Sequence, residues 1–162
     1  MLSRVTALGL TLAGFVPPVL GASYSAATNY VLHCQGCHGA DGVSELPGAI
    51  PPLQQMGYFL LVPGGRQYLV QVPGVAQAPI DDAQLAALLN FTVRRYSSAT
   101  LTKSFRPYTP EEVARERHGV KDIGGARRQL VAAISSQLGV HAWTPQARSP
   151  GPITGEASAL VH

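Results

Sequence analysis

Two cysteines and a histidine, close together in the first quarter of the chain, constrain this sequence more than any other feature. They lie in the run Cys34-Gln35-Gly36-Cys37-His38. A Cys-x-x-Cys pair forms one tight turn that brings both sulfurs to one edge of a ligand, and the next residue points beneath it. This spacing suits a c-type haem, in which two thiols add across the vinyl groups while a histidine binds the iron. The pattern therefore predicts Cys34 and Cys37 as attachment points and His38 as an iron ligand.

Three other uses of a Cys-x-x-Cys pair fit this sequence less well. A thioredoxin-like redox motif expects a βαβ context, and no such pattern precedes Cys34. A structural zinc site needs four ligands, typically from two cysteine pairs, whereas this chain has 2 cysteines in all. A disulfide across two residues would close almost no loop and would stabilise little. Haem attachment is therefore the favoured interpretation.

The residues around the motif carry a family resemblance. The run from Asn29 to Gly42, NYVLHCQGCHGADG, resembles the haem-binding start of a monohaem class I cytochrome c. The resemblance covers roughly residues 26–96. It implies an all-α protein, with a small cytochrome c fold around one covalently attached haem c. The residues that follow this segment are expected to add a helical C-terminal extension. It also implies that Ala26 and Tyr30 let the first helix cross the last core helix closely.

The start of the chain is typical of an exported protein. Arg4 is followed by an apolar run from Val5 to Leu20 and then by small residues, which is the layout of a secretory signal peptide. An uncleaved membrane anchor is the alternative, but the run is short for a membrane span and a Pro-Pro pair interrupts it. We expect a cleaved signal peptide over residues 1–22 and a periplasmic protein. Contact with a membrane is expected only if that segment is not cleaved.

Composition divides the rest of the chain. We expect a cytochrome c domain over residues 23–97, a helical extension over residues 98–140 and a disordered tail over residues 141–162. The net charge is +3, and most of the cations lie in the second half, interleaved with acids. This pattern indicates solvated helix faces and not a nucleic-acid surface. Because the extension lies outside the resemblance, we expect its removal to leave the haem unperturbed and to weaken binding of a redox partner.

The clearest predicted helix begins after Asp81, the expected N-cap, with acids in its first turn and arginines in its last. The resemblance implies that it is the last core helix and covers the haem. The side chains expected to do so are Leu85, Leu89 and either Phe91 or Leu88. Two more helices are predicted in the extension, from Thr109 to about Gly119 and over residues 125–138.

Further contacts with the haem are predicted between the motif and that helix. The resemblance implies that the carbonyl of Pro51 holds the second ring nitrogen of His38, which fixes the imidazole. Arg66 is the only cation between the motif and Arg94, and a guanidinium suits the carboxylates of a haem. We therefore name Arg66 as a cofactor-binding residue, with an ordinary surface position as the alternative.

The sixth ligand of the iron is where the sequence departs from the family. Class I cytochromes usually place a methionine in the loop before the last core helix, but residues 73–79 contain none. Apart from Met1, the chain has one methionine, Met56, and we expect it to bind the iron. The alternatives are an open site or one of three other ligands: Gln77, His118 or His141.

Transfer of single electrons is the function that these features indicate. A covalently held haem with only an edge exposed suits this role better than substrate turnover. We therefore do not expect this protein to be an enzyme. The expected protein is a periplasmic electron-transfer cytochrome that carries electrons between a dehydrogenase and a downstream carrier or oxidase. We expect it to bind a redox protein and not a nucleic acid. The alternative is a haem protein with an open distal site, acting as a peroxidase-like enzyme or a gas sensor.

Overall fold

The structure, a computed structural model, describes residues 23–44, 50–119 and 122–141, and the regular elements in these ranges are all helical. The α-helices are α1 Ala26–His33, α2 Gln35–His38, α3 Met56–Phe59, α4 Gly65–Gln71, α5 Pro73–Ala76, α6 Asp82–Tyr96, α7 Pro110–Glu116 and α8 Ile123–Leu138. Short 3₁₀ turns occupy Leu53–Gln55 and Ser98–Thr100. The predicted all-α fold class is confirmed.

Two expectations concern the ends of the chain. The signal peptide expected over residues 1–22 lies outside the described residues, as does the expected tail beyond residue 141. None of the helices in the described ranges is long and apolar enough to cross a membrane.

Helix α1 begins at a serine cap and ends at the first cysteine of the motif. The hydroxyl of Ser25 accepts a hydrogen bond from the backbone N–H of Thr28 at 3.1 Å, which satisfies one of the free first-turn donors. At Cys34 the backbone leaves helical geometry, with φ −124°, and α2 follows as a single turn. That turn ends at Gly39, whose φ of +68° favours glycine. One short turn therefore carries the second cysteine and His38.

Aromatic side chains join α1 to α6. Tyr30 is 2% exposed, and its ring centroid lies 4.8 Å from that of Tyr96 and 6.2 Å from that of Phe91. Its hydroxyl donates a hydrogen bond to the carbonyl of Gly39 at 2.7 Å. The close packing expected of Tyr30 between the first and last core helices is confirmed. The contact ties the motif turn to α6.

Helix α6 begins where the sequence predicts. The carboxylate of Asp81 accepts from the backbone N–H of Gln84 at 2.7 Å, and the Gln84 side chain accepts from the backbone N–H of Asp81 at 3.3 Å. This reciprocal capping box confirms Asp81 as the N-cap. The buried face of the helix consists of Leu85, Ala86, Leu88, Leu89, Thr92 and Val93.

Buried apolar side chains form two clusters. The first core cluster consists of Tyr30, Leu53, Val70, Leu85, Ala86, Leu88, Leu89, Tyr108 and Val113. The second core cluster consists of Phe59, Val62, Tyr68, Leu69, Leu130, Val131 and Ile134. Met56 and Leu60 are half-buried and pack against both clusters, so α3 lies where the two meet.

The two helices of the extension are part of this packing. Helix α7 lies against α6, and α8 lies against α3 and α4. Ile134 of α8 is fully buried in the second core cluster. Helix α8 begins two residues before its predicted start because Asp122 caps it, its carboxylate accepting from the backbone N–H of Gly125 at 2.8 Å. The division into a domain over residues 23–97 and an extension over residues 98–140 stays a prediction.

Candidate haem-binding site

A cavity of about 350 Å³ opens beside the motif turn. Its walls come from the motif, from the segment between Pro51 and Phe59, from α4 and α5, and from α8. The volume falls within the range of about 300–1,000 Å³ that is usual for cofactor sites, and the lining is mostly apolar, as in such sites. Cys34, Cys37 and His38 all line it. The structure therefore brings the three residues of the motif to one cavity.

A smaller cavity of about 50 Å³ adjoins the first along α6. The residues common to both are Cys34, His38, Leu53, Met56, Gly74 and Val75. Helix α6 contributes the side chains of Leu85, Leu88, Leu89 and Thr92. The leucines expected beside the haem thus line the site, and of the two alternatives it is Leu88 that does so. Phe91 packs on Tyr30 instead.

The two cysteines differ in their surroundings. Both are free thiols, with Cys34 half-buried and Cys37 exposed. Burial, and then the proximity of Cys37, raises the pKa of Cys34 to about 11. Cys34 is therefore a neutral thiol at neutral pH. A thiol in this form would supply both the sulfur and the hydrogen that addition to a vinyl group needs.

His38 is suited to bind a metal. Burial lowers the pKa of its imidazole, while the carbonyl of Pro51 beside the ring acts more weakly to raise it. The lowered pKa favours the neutral imidazole, which is the form that coordinates metals. The Nδ1 atom of His38 is buried and makes no hydrogen bond of normal geometry. The favoured neutral form of this imidazole, and its place on the cavity wall beside two free thiols, fit an iron ligand.

Arg66 does not line either cavity. Its guanidinium forms an ion pair with Glu112, at 2.8 Å between Nη2 and Oε2, and donates to the carbonyls of Arg106 and Pro107 at 2.7 and 2.9 Å. It also lies 3.9 Å from the ring centroid of Tyr108. The haem contact expected of Arg66 from the sequence is therefore not seen, and Arg66 instead holds the start of α7. The N–H donors that a haem carboxylate would need are bonded to the carboxylate of Glu112.

The cation on the cavity wall is Arg127 of α8. It donates a hydrogen bond to the hydroxyl of Tyr68 at 3.4 Å and lies 5.2 Å from the ring centroid of Phe59. Ile123 of the same helix also lines the cavity. The expectation that residues 98–140 could be removed without effect on the haem is therefore corrected. An apolar stripe on α8 was visible in the sequence, but no local signal showed what the stripe covers.

Met56 is the candidate sixth ligand that the structure brings to the site. It lines both cavities together with His38. The other candidates, Gln77, His118 and His141, line neither cavity. The loop before α6 provides the wall with residues 73–75, which have no side chain able to bind iron.

Three polar side chains line the larger cavity without having been assigned to the site from the sequence. They are His33, Gln55 and Tyr68. His33 is half-buried and is the last residue of α1, directly before the turn at Cys34. Tyr68 is 5% exposed and belongs to α4, a segment that carries no motif.

Comparison with known proteins completes the assignment. No family model matches the chain. It is 33% identical over 103 residues to a cytochrome c-552 of Thermus thermophilus, a match that covers 52% of this chain and 78% of that protein. A second cytochrome c-552, from a named strain of the same organism, is also 33% identical over 103 residues, which cover 52% of this chain and 69% of that relative. Similarity over more than two thirds of each relative, together with a Cys-x-x-Cys-His turn at an apolar cavity, shows that this chain belongs to the c-type cytochrome family.

Proposed function

We propose that this protein is a periplasmic electron carrier, which accepts single electrons from a dehydrogenase and delivers them to a downstream carrier or oxidase. Membership of the c-type cytochrome family supports electron transfer as the broad function. The observation that carries the proposal is the convergence of Cys34, Cys37 and His38 on one apolar cavity. Periplasmic location follows from the export signal predicted over residues 1–22.

Different residues of this chain would hold the haem, bind its iron and cover it. A bound haem supplies a one-electron iron centre whose potential depends on ligands, burial and nearby hydrogen bonds. Cys34 and Cys37 would hold it by two thioether bonds, and His38 would bind the iron. The leucines of α6 and the second core cluster exclude water from the site. Electron transfer needs no general acid or base from the protein, and none is assigned.

Met56 is the residue that we propose as the sixth ligand. Its support is its place on the walls of both cavities, which it shares with His38. Because it packs against both core clusters, its side chain is also constrained on two sides. A thioether is an established axial ligand in cytochromes c and raises the potential of the iron.

Covalent attachment is the first test of the proposed function. The full chain, produced in cells that attach c-type haem, is expected to keep its haem through extraction with acidified acetone, because two thioether bonds hold it. It should then titrate as a one-electron couple in a potentiometric experiment followed by visible absorption.

The control is the double variant Cys34→Ser with Cys37→Ser, whose haem should be extracted or absent. Serine is close in size to cysteine but cannot form the thioether. If the unaltered chain lost its haem to acidified acetone, or bound none, the proposed function would be wrong.

A further inference from the structure

Helix α8 of the extension borders the cavity that we assign to the haem. We propose that Arg127 of this helix, together with Tyr68, binds a carboxylate of the haem and so raises the reduction potential of the protein. The inference rests on the proposed function, since it needs a haem in this cavity. It makes the C-terminal extension a determinant of the redox properties and not only a docking element.

The first step concerns where Arg127 lies relative to the thiols. Cys34 packs against the first core cluster. Arg127 instead contacts Phe59 and Tyr68, which belong to the second core cluster. The smaller cavity along α6 includes Cys34 but not Arg127. The cation and the first attachment point therefore belong to different parts of the cavity wall.

The chemistry of the cofactor matches this separation. The vinyl groups of haem lie on one half of the macrocycle, and its two carboxylates lie on the other half. If a haem were attached at Cys34 and lay along the cavity, its carboxylates would be on the side away from the attachment points, where residues of the second core cluster form the wall. Arg127 lies on that part of the wall.

The second step concerns the donors that Arg127 and Tyr68 offer. The guanidinium has a planar fork of N–H donors that matches the two oxygens of a carboxylate. Because the hydroxyl of Tyr68 accepts a hydrogen bond from Arg127, its own proton can be donated to another oxygen. Tyr68 is 5% exposed, so the packing around its ring holds the side chain in place at the wall. The pair supplies a charge and two kinds of donor at one place.

The third step concerns the balance of charge. Placing a carboxylate in a mostly apolar cavity is costly unless a cation pairs with it. Among the described residues that line the cavity, Arg127 is the only Lys or Arg, and there is no Asp or Glu. A haem carboxylate at this wall would therefore meet the opposite charge of Arg127.

The effect on potential follows from this pairing. Oxidised haem iron carries one more positive charge than reduced iron, so a carboxylate with no partner stabilises the oxidised form. A guanidinium that pairs with the carboxylate weakens this stabilisation, and it also opposes the extra positive charge on the iron. Both effects favour the reduced form and raise the potential.

The test is a potentiometric titration of the full-length holoprotein and of variants at position 127. Arg127→Gln is expected to shift the equilibrium about tenfold toward the oxidised form, which lowers the potential by about 59 mV for a one-electron couple. Arg127→Lys should give a smaller shift, because it keeps the charge but loses the fork. Tyr68→Phe should lower the potential by less than Arg127→Gln, because it removes one donor and no charge.

Arg128→Gln is the matched control. It removes the same charge from the next position of the same helix, but Arg128 is exposed and does not line the cavity, so its potential should stay close to that of the unaltered protein. Equal shifts in Arg127→Gln and Arg128→Gln, or no shift in Arg127→Gln, would overturn the inference. The inference would also be overturned if Arg127→Lys had a potential as low as that of Arg127→Gln. Lysine keeps the positive charge, so that result would show that the packing of the arginine side chain, and not its charge, sets the potential. A protein that carries covalent haem yet gives any of these results refutes only this inference, whereas a protein without haem refutes the proposed function as well.

Discussion

Single side chains set the coordination of the iron, and Met56 is the one on which the proposed coordination depends. Met56→Leu keeps an apolar side chain of similar size and removes the sulfur. We expect the oxidised variant to lose the weak long-wavelength absorption band that marks thioether ligation in this family. Its reduction potential should also fall, since methionine ligation raises the potential of haem iron.

Leu60→Ala is the matched control for the methionine variant. Leu60 packs against both core clusters, as Met56 does, but lines neither of the two cavities at the motif. It should destabilise the fold while leaving the absorption band in place. An unaltered protein without that band, or a Met56→Leu variant that keeps it, would remove Met56 from the iron and leave an open distal site as the better description.

The cysteine and histidine side chains could be assigned from the sequence, whereas the arginines could not. Cys34, Cys37 and His38 lie within five consecutive residues, and one turn of backbone fixes their relative positions. The position of Arg66 was known, but its partner Glu112 is 46 residues away along the chain. The local sequence around Arg66 does not show whether its guanidinium faces a haem or another helix.

Helix α7 is held to the rest of the protein by polar contacts at both of its ends. At its start, Tyr108 and Asn90 exchange two hydrogen bonds, with the backbone N–H of Tyr108 donating at 2.7 Å and the Asn90 side chain donating at 3.0 Å. Beyond its end, Arg117 donates to the carbonyls of Ala76 and Ile80 at 2.8 and 2.9 Å. The extension therefore also fixes the loop that precedes α6, next to the cavity.

The ion pairs of Glu112 should govern how this helix responds to acid. Burial opposes ionisation of the carboxyl group, but Arg66 and then Arg106 hold the pKa of Glu112 below its ordinary value of 4.5. A lowered pKa in the folded state means that the ionised carboxylate stabilises the fold above about pH 4.5, and that this contribution is lost as the pH falls through the folded value. Unfolding followed against pH should therefore show a loss of stability on the acid side.

Substitution of Glu112 tests this account. Glu112→Ala leaves the half-buried guanidinium of Arg66 without its carboxylate, so the free energy of unfolding at neutral pH should fall by about 1–3 kcal/mol. The variant should also show a flatter acid dependence than the unaltered protein. Glu116→Ala on the same helix is the control, since Glu116 pairs with a largely exposed Arg115 at 3.4 Å and should cost less than about 1 kcal/mol. Equal losses in the two variants would contradict the role given to Glu112.

The molecule as a whole is arranged around the cavity, which both core clusters border. Met56, Leu53 and the leucines of α6 form one side, and the second core cluster forms the other. A mostly apolar cavity of about 350 Å³ exposes its lining to water unless a cofactor covers it, and covering apolar surface stabilises a fold. The stability of this protein should therefore depend on the haem.

Chemical unfolding of the protein with and without haem measures that dependence. The double variant Cys34→Ser with Cys37→Ser, purified without haem, is expected to lose several kcal/mol of unfolding free energy relative to the holoprotein and to unfold less cooperatively. Circular dichroism against guanidinium concentration gives both quantities. A haem-free chain as stable as the holoprotein would show that the two clusters close without the cofactor.

Features that depend on near neighbours could be predicted from the residues alone. The motif turn, the cap at Asp81 and the buried face of α6 each rest on contacts within a few positions of the chain, so spacing and residue type were enough. The family resemblance extended this to the packing of Tyr30 between the first and last core helices. Helix α8 was also visible from its apolar stripe and ended where predicted, at Leu138.

The folded chain was needed to choose which of these elements meet at the haem site. Arg127 contacts Tyr68 from 59 residues away, and Arg66 is drawn to Glu112 on another helix. Contacts between such distant positions are set by how whole helices pack, and a guanidinium suits a protein carboxylate as well as it suits one on a haem. The sequence therefore predicts the attachment points and the iron ligand of the motif, while the packing of α7 and α8 decides which arginine lies at the cavity.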